Sequence, residues 1–344
     1  MLTAALAGAG FAAVAAAVGT RGLIGLLRSK GVVDVPNPRS LHTTPTPRGG
    51  GVAIVAGALV GMALQSGLWQ APAPGTPFWI GLGGIIATGF ADDLLDLPAA
   101  ARLLLQCLFA AVVLRSGLVL TRLPAPEPFD IPLGAAAGWA ITLLWVVGVT
   151  NIYNFLDGID GFAAAQGFIA CLALLLMLMS SAVAPLLAAF AGACAGFLAY
   201  NWHPAKIFMG DSGSTTLGFL IAVSPLHAGA EHRHLAVLMG AMTVWFFVAD
   251  GAYTFIRRAV RGERFWQAHR THLYQLLAAA GFRHDQVVRR VGVAAALLAV
   301  LATAAFHSGR ASFVWLVLIL AVLGFAAYRH KVEALSRARR LVTG

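Results

Sequence analysis

Charge is scarce in this chain. Of 344 residues, 11% are Asp, Glu, Lys or Arg and 59% are hydrophobic, whereas soluble domains carry about 25% charged residues. Acids are scarcer than bases, 14 against 24 Lys and Arg, and there are three cysteines. The shortage of charge excludes the two or three soluble domains that length alone would suggest, because the apolar residues come in long blocks. Cys107, Cys171 and Cys194 all lie inside those blocks without metal-ligand spacing. They read as small core or lipid-facing side chains.

What the chain has instead is length of hydrophobic run, with a mean hydropathy of +0.80. Runs of about 17–25 apolar residues are the signature of membrane-crossing helices. Eleven candidates lie near 3–20, 51–68, 78–91, 103–120, 134–151, 163–180, 182–200, 213–229, 234–254, 290–308 and 311–328. The fold expected is all-α: one polytopic integral membrane domain over residues 1–344 with about eleven transmembrane helices. In the first run the basic residues Arg21, Arg28 and Lys30 follow the apolar stretch, which argues against a cleaved signal peptide.

A net charge of +10 invites a nucleic-acid partner, but the positions of the bases argue against one. With the first loop inside, all of the 24 Lys and Arg except Arg115, Arg122, Arg233 and Arg310 fall on the cytoplasmic side. That is the positive-inside asymmetry, and it suits anionic lipid headgroups. It predicts an outside N-terminus and an inside C-terminus.

The same topology puts all of the 14 acids except Glu127, Asp130 and Glu231 on the cytoplasmic side. Most cluster in "FADDLLDLP" (90–98), "NFLDGIDG" (154–161), "FMGDSGS" (208–214) and "WFFVADGAY" (245–253). A carboxylate at the bilayer centre costs about 2.5–3.5 kcal/mol on insertion scales, so the acids belong at helix ends, where water, a cation or donors compensate them. Singly, each motif has a structural reading. Asp157–Gly158 and Asp160–Gly161 are turn signals, Asp211 suits a helix cap, and Asp250 suits a helix contact. The adjacent Asp92 and Asp93 should repel and raise one another's pKa unless something positive sits between them. Gathered on one face, the set calls for a cation. Hard oxygen donors suit Mg²⁺ or Mn²⁺, which bind carboxylates together with substrate phosphates, so metal-dependent phosphoryl transfer is the leading expectation.

Two loops extend it. "DVPNPRSLHTTPTPRGGG" (34–51) carries Arg39, His42 and Arg48 before three glycines that either cradle an anion with their backbone N–H groups or form a simple tight turn. "RRAVRGERFWQAHRTHLYQLL" (257–277) spaces His269 and His272 three apart, one face if helical.

Taken in order, these segments resemble the polyprenyl-phosphate N-acetylhexosamine-1-phosphate transferases, a family that includes the phospho-N-acetylmuramoyl-pentapeptide transferase and the initiating enzymes of O-antigen and teichoic acid synthesis. The resemblance runs from "PNPRSLHTTPTPRGGG" to "HRTHLYQLL". It implies that Asp92 and Asp93 are the essential aspartate pair, Asp211 the magnesium ligand, and Asn154, Asp157 and Asp160 part of the uridine-nucleotide and catalytic pocket. It also implies that His269 and His272 contact the diphosphate, that Arg48 and His42 bind phosphate, and that Asn201 and Arg102 bind substrate. Arg102 is the nearest cation where the pentapeptide transferases carry a lysine, and "HRTH" replaces their histidine run. That form resembles the branch that starts surface glycans.

The activity implied is transfer of a HexNAc-1-phosphate, GlcNAc or a 6-deoxy relative, from a UDP-sugar to undecaprenyl phosphate at the cytoplasmic face of a bacterial inner membrane. UMP is the product released. Gly- and Ala-rich spans permit close packing and so a homodimer. Rival readings are a cation-coupled transporter, which would set its acids at broken helices near the midplane, and a non-catalytic lipid-binding scaffold. The CDP-alcohol phosphotransferases need four aspartates in one two-helix motif, which this chain lacks.

Overall fold

The computed structural model describes residues 2–36, 41, 44–263 and 270–343. Its helices run in order α1 (Leu2–Ser29), α2 (Gly51–Trp69), α3 (Thr76–Leu95), α4 (Ala99–Leu114), α5 (Ala135–Phe155), α6 (Phe162–Met177) and α7 (Ala184–Asn201). They continue as α8 (Asp211–Val223), α9 (Arg233–Thr243), α10 (Trp245–Val260), α11 (Leu273–Ala279), α12 (His284–Ser308) and α13 (Ala311–Thr343). Between α1 and α2, β1 (Val33–Asp34) pairs antiparallel with β2 (Thr46–Pro47), Val33 opposite Pro47.

The boundaries follow local chemistry. Pro77 sits in the first turn of α3, where its missing N–H costs nothing. Asp96 ends that helix in a left-handed conformation, its N–H donating to the Asp92 carbonyl, and Pro98 follows. Gly161 and Gly210, both at φ 75°, turn the chain into α6 and α8.

Among the described residues seven helices (α1, α2, α3, α5, α7, α12 and α13) are long and apolar enough to cross a membrane, and α9 with α10 passes the same test as a pair bent by 82°, the geometry of a broken span or a re-entrant loop. The eleven expected runs therefore differ in kind. α4 and α6 are apolar but only 16 residues each, and α8 has 13, giving way to a 3₁₀ turn from Ser224 to His227 that contains Pro225. The ninth run is continuous in hydrophobicity but breaks at Val244.

α8 is buried along its whole length, enclosed by α3 and α5 with α2 beside it. Its hydrophobicity on all sides reflects a protein interior rather than lipid. α7 packs closely on α1: a Cβ at Gly192 or Gly196 would lie 1.9 Å from the Ala9 carbonyl oxygen or 2.1 Å from that of Ala13. Small residues at such crossings let helix backbones approach. The C-terminal ends of α3, α5 and α7 and the N-terminal ends of α2, α8 and α12 converge at one end of the bundle.

Candidate active site

Adjacent residues on a helix point about 100° apart, and this separates Asp92 from Asp93. Asp92 Oδ2 meets Arg102 Nη1 at 2.6 Å, and its Oδ1 accepts the Leu97 N–H at 2.8 Å. Asp93 turns to α8 instead. Its Oδ1 accepts the Asp211 N–H at 2.8 Å and its Oδ2 the Ser212 N–H at 2.9 Å, while Arg48 Nε lies 3.2 Å from Oδ1. The repulsion expected between the pair is thus relieved by separate positive partners, two arginines and a helix N-terminus.

Asp93 caps α8, so Asp211, its first residue, is free to project its carboxylate. Arg48 Nη2 reaches Oδ1 at 2.8 Å, Arg102 Nη1 reaches Oδ2 at 3.1 Å, and Asn154 Nδ2 reaches Oδ2 at 3.2 Å. Ser214 Oγ donates to Asn154 Oδ1 at 2.6 Å, which orients the amide toward Asp211. Burial works to lower the Arg48 pKa, but the nearby charges of Asp211 and Asp93 outweigh it and raise the pKa.

Beside this network lies a cavity of about 310 Å³ whose lining includes Arg48, Asn154, Asp157, Asp160, Asn201 and Asp211. Asp157 and Asp160 share one turn and have opposite environments. Burial, and then the charge of Asp211, push Asp157 up to about 7 against the pull of Arg48. Among the described residues no donor hydrogen-bonds its carboxylate. Burial alone would also raise Asp160, but the imidazoles of His284 and His203 outweigh it and hold Asp160 below the usual carboxylate range. His203 Nδ1 is 2.6 Å from Asp160 Oδ2, the Ala205 N–H donates to the same oxygen at 3.2 Å, and His284 Nδ1 lies 3.3 Å from it.

Two candidate metal positions result. Asp160, His203 and His284 offer ligand atoms within 4.8 Å of one another. However, the 2.6 Å separation of His203 and Asp160 is a hydrogen bond, shorter than the roughly 3.3 Å between two ligands each about 2.0 Å from one tetrahedral ion. The second position, around Asp211, fits a hard divalent cation. Asp92, Asp93, Asp157 and Asp211 converge there with Arg48 and Arg102 as their cations, so carboxylate charge exceeds guanidinium charge and every acidic donor is oxygen.

Several expectations change. Two of the three glycines at the start of α2 do not cradle an anion: the Gly50 and Gly51 N–H groups donate to the carbonyls of Phe208 and Met209, and a Cβ on Gly51 would come within 2.1 Å of the Gly213 nitrogen. They allow close packing against the segment leading into α8. Asn201 lines the cavity, but both ends of its amide are engaged, Oδ1 with the Gly161 N–H at 3.1 Å and Nδ2 with the Ile207 carbonyl at 2.9 Å. It holds the aspartate turn.

His272 is the N-cap of α11 rather than part of a helix face. It is buried, with Nδ1 3.3 Å from Asp250 Oδ1, and does not line the cavity. Asp250 also accepts the N–H groups of Leu273 and Tyr274, and the Tyr274 hydroxyl donates to the Phe155 carbonyl, so this cluster anchors the loop under the aspartate turn. His42 and His269 lie outside the described residues.

Sequence reasoning passed over His203 and His284. His203 sat within reach, two residues after Asn201 in "NWHPA". His284, 124 residues beyond Asp160, carries no local signal.

Fold and site together define a multi-pass helical membrane protein with an acid- and arginine-rich cavity at one end of its bundle. Residues 76–229 match glycosyl transferase family 4. A probable undecaprenyl-phosphate N-acetylglucosaminyl 1-phosphate transferase of Bacillus subtilis is 32% identical over 268 residues, 75% of this chain and 73% of the relative. A decaprenyl-phosphate N-acetylglucosaminephosphotransferase of Mycobacterium tuberculosis is 31% identical, covering 78% and 74%. A phospho-N-acetylmuramoyl-pentapeptide-transferase of Chlamydia trachomatis is 32% identical over 228 residues, 58% and 65%. The chain belongs to this family of polyprenyl-phosphate N-acetylhexosamine-1-phosphate transferases and is an enzyme of the phosphotransferase kind.

Proposed function

We propose that this enzyme transfers a HexNAc-1-phosphate from a UDP-sugar to undecaprenyl or another polyprenyl phosphate, releasing UMP, as the first membrane step of a surface glycan. The observation that carries the reading is the convergence on Asp211 of Arg48, Arg102 and Asn154, drawn from three distant segments, beside the cavity that holds Asp157 and Asp160. Acids and guanidiniums interleaved at a cavity wall suit an anionic diphosphate with a divalent counter-ion.

In the reaction a lipid phosphate oxygen attacks the sugar-bearing phosphorus of the UDP-sugar. The bond from that phosphorus to UMP breaks, and UMP leaves with the electron pair. One phosphoanhydride replaces another, so catalysis must come from position and charge. Arg48 and Arg102, each about one-third exposed, would take phosphate oxygens. Asp92 and Asp93 keep these arginines and the start of α8 in register, and Asp92 would orient the lipid phosphate. Asp157, with a pKa of about 7, would accept a residual lipid-phosphate proton or, in a two-step course, act as the nucleophile. Asp211 would hold Mg²⁺, or Mn²⁺ in its place, with Asp157 beside it; when bound, the ion supplies charge stabilisation for the leaving nucleotide.

We further propose that the whole chain forms one transferase unit in a bacterial inner membrane, with the site on the cytoplasmic face. All eleven apolar runs would cross, α4, α6 and α8 as short members and α9–α10 as a bent one. A transporter reading finds less support, because the helix pair broken at Val244 carries Asp250 alone of the motif acids, and Asp92, Asp93, Asp157, Asp160 and Asp211 lie on other elements. The deciding experiment measures UMP release from a panel of UDP-sugars, with and without undecaprenyl phosphate and Mg²⁺. Release that depends on all three components is expected; cation-coupled uptake without UMP would overturn the reading.

A further inference from the structure

Asp160 sits on a turn between α5 and α6, where an unrestrained side chain would sample several rotamers. Its carboxylate is nevertheless held from one side only. His203 Nδ1, His284 Nδ1 and the Ala205 N–H all approach Oδ2, at 2.6, 3.3 and 3.2 Å. Among the described residues no donor reaches Oδ1. The Asp160 N–H is held as well, donating to His284 Nδ1 at 3.3 Å. With Nδ1 bare, His284 accepts from the Asp160 backbone N–H; with Nδ1 protonated, in either the neutral tautomer or the cation, it donates to the carboxylate.

The clamp joins three distant pieces of chain: the aspartate turn, the segment after α7, and the first residue of α12. The two imidazole rings lie 5.1 Å apart. Asp160 and His284 also form part of the wall shared by the 310 Å³ cavity and a neighbouring one of about 370 Å³, where His203 lies on the far side. His203 thus lies outside the cavity that holds Asp157 and Asp211, whereas His284 lines it beside Asp160.

We infer that His203 and His284 are positioning residues for the sugar-nucleotide donor, holding Asp160 by Oδ2 so that Oδ1 presents a fixed acceptor to a hydrogen-bond donor group of that substrate. The inference rests on the proposed transferase reading. Ligand orientation is lost when the group behind a binding residue is removed, even though the binding residue stays. The loss should appear in substrate affinity rather than in the chemical step, since Asp160 bonds His203, His284 and the Ala205 N–H and not the guanidinium pair that engages Asp211.

The test uses the purified full chain in detergent with UDP-GlcNAc, or whichever UDP-sugar the panel selects. His203→Ala should raise the KM for the UDP-sugar about tenfold while kcat stays within about threefold. His203→Asn, whose amide N–H lies near the Nδ1 position, should recover most of the loss, and His284→Ala should move KM in the same direction. Asp160→Asn combined with His203→Ala should be no worse than Asp160→Asn alone, because both act through one carboxylate; a general folding defect would add instead. Unchanged KM in His203→Ala and His284→Ala, or additive losses in the double variant, would overturn the inference while the wild type still turns over. A wild type that releases no UMP would overturn the transferase reading and this inference with it.

Discussion

Asp157 and Asp160 lie three residues apart in the turn after α5, and their neighbours divide the work between them. A pair of acids with pKa values driven apart is how one site keeps a fixed charge beside an exchangeable proton. Asp157 is raised from 3.8 to about 7, so the folded state holds its proton more tightly than the unfolded chain does. The stability this contributes is complete below the ordinary value and is lost as pH rises through about 7. Asp157→Asn should therefore gain thermal stability relative to wild type at pH 8, with the difference shrinking toward pH 4. If Asp157 works as the ionised base, wild-type turnover should fall below pH 7, and the Asn variant should lose about a hundredfold or more at all pH values. Asp211 is a different case. Asp211→Ala should keep its fold, by circular dichroism and gel filtration, yet lose at least about a hundredfold in turnover (~2.7 kcal/mol of barrier) even at saturating Mg²⁺. Wild type stripped with a chelator should lose turnover and regain it when Mg²⁺ returns. These aspartates could be read from the sequence because acids are so rare in this chain. The clamp on Asp160 could not be read as a unit, since His284, 124 residues away, meets it only through tertiary folding.

α8 shows what the elements contribute. It begins at the site, is enclosed by other helices, and is capped by an acid from α3 rather than by its own sequence. A helix N-terminus capped in this way gains about 0.5–2 kcal/mol. The arrangement needs glycine at position 210, where φ is 75° and a Cβ would lie 2.6 Å from Asp93 Oδ1. Gly210→Ala should therefore lower both thermal stability and turnover, while Gly67→Ala, which meets nothing within 4 Å, should change neither. Asp93→Asn should follow Gly210→Ala, because the amide turns a donor toward a backbone N–H. Paired measurements of unfolding temperature and UMP release check all three, and normal behaviour of Gly210→Ala would remove Asp93 as the cap. Most helices were legible as hydrophobic runs, α2 and α7 nearly to their ends. The shortness of α8 and the break between α9 and α10 were not. Burial by protein and burial by lipid select the same residue types, and a bend inside an apolar run leaves hydropathy unchanged.

At the scale of the whole molecule the acids separate by helix end. The converging network gathers at the C-terminal end of α5, whereas Glu127, Asp130 and Glu231 line a separate cavity of about 640 Å³ bounded by the loop that precedes α5. The 21 residues of α5 set the two about 30 Å apart, the thickness of a bilayer core. Asp130 is paired there with Arg122, and neither group bonds the network around Asp211. Substitution of Glu127 or Asp130 by Ala should change turnover less than about threefold, under ~1 kcal/mol of barrier. The same separation tests orientation directly. In a variant with Cys107, Cys171 and Cys194 replaced by Ser, a cysteine introduced at exposed Glu127 should react with a membrane-impermeant maleimide in intact spheroplasts. One at exposed Thr44, beside β2, should react only after the membrane is opened. The positive-inside distribution and a cytosolic supply of UDP-sugar both require that order. Labelling of Thr44→Cys in sealed spheroplasts would turn the protein over in the membrane, putting the carboxylates on the side without nucleotide and removing the proposed reaction.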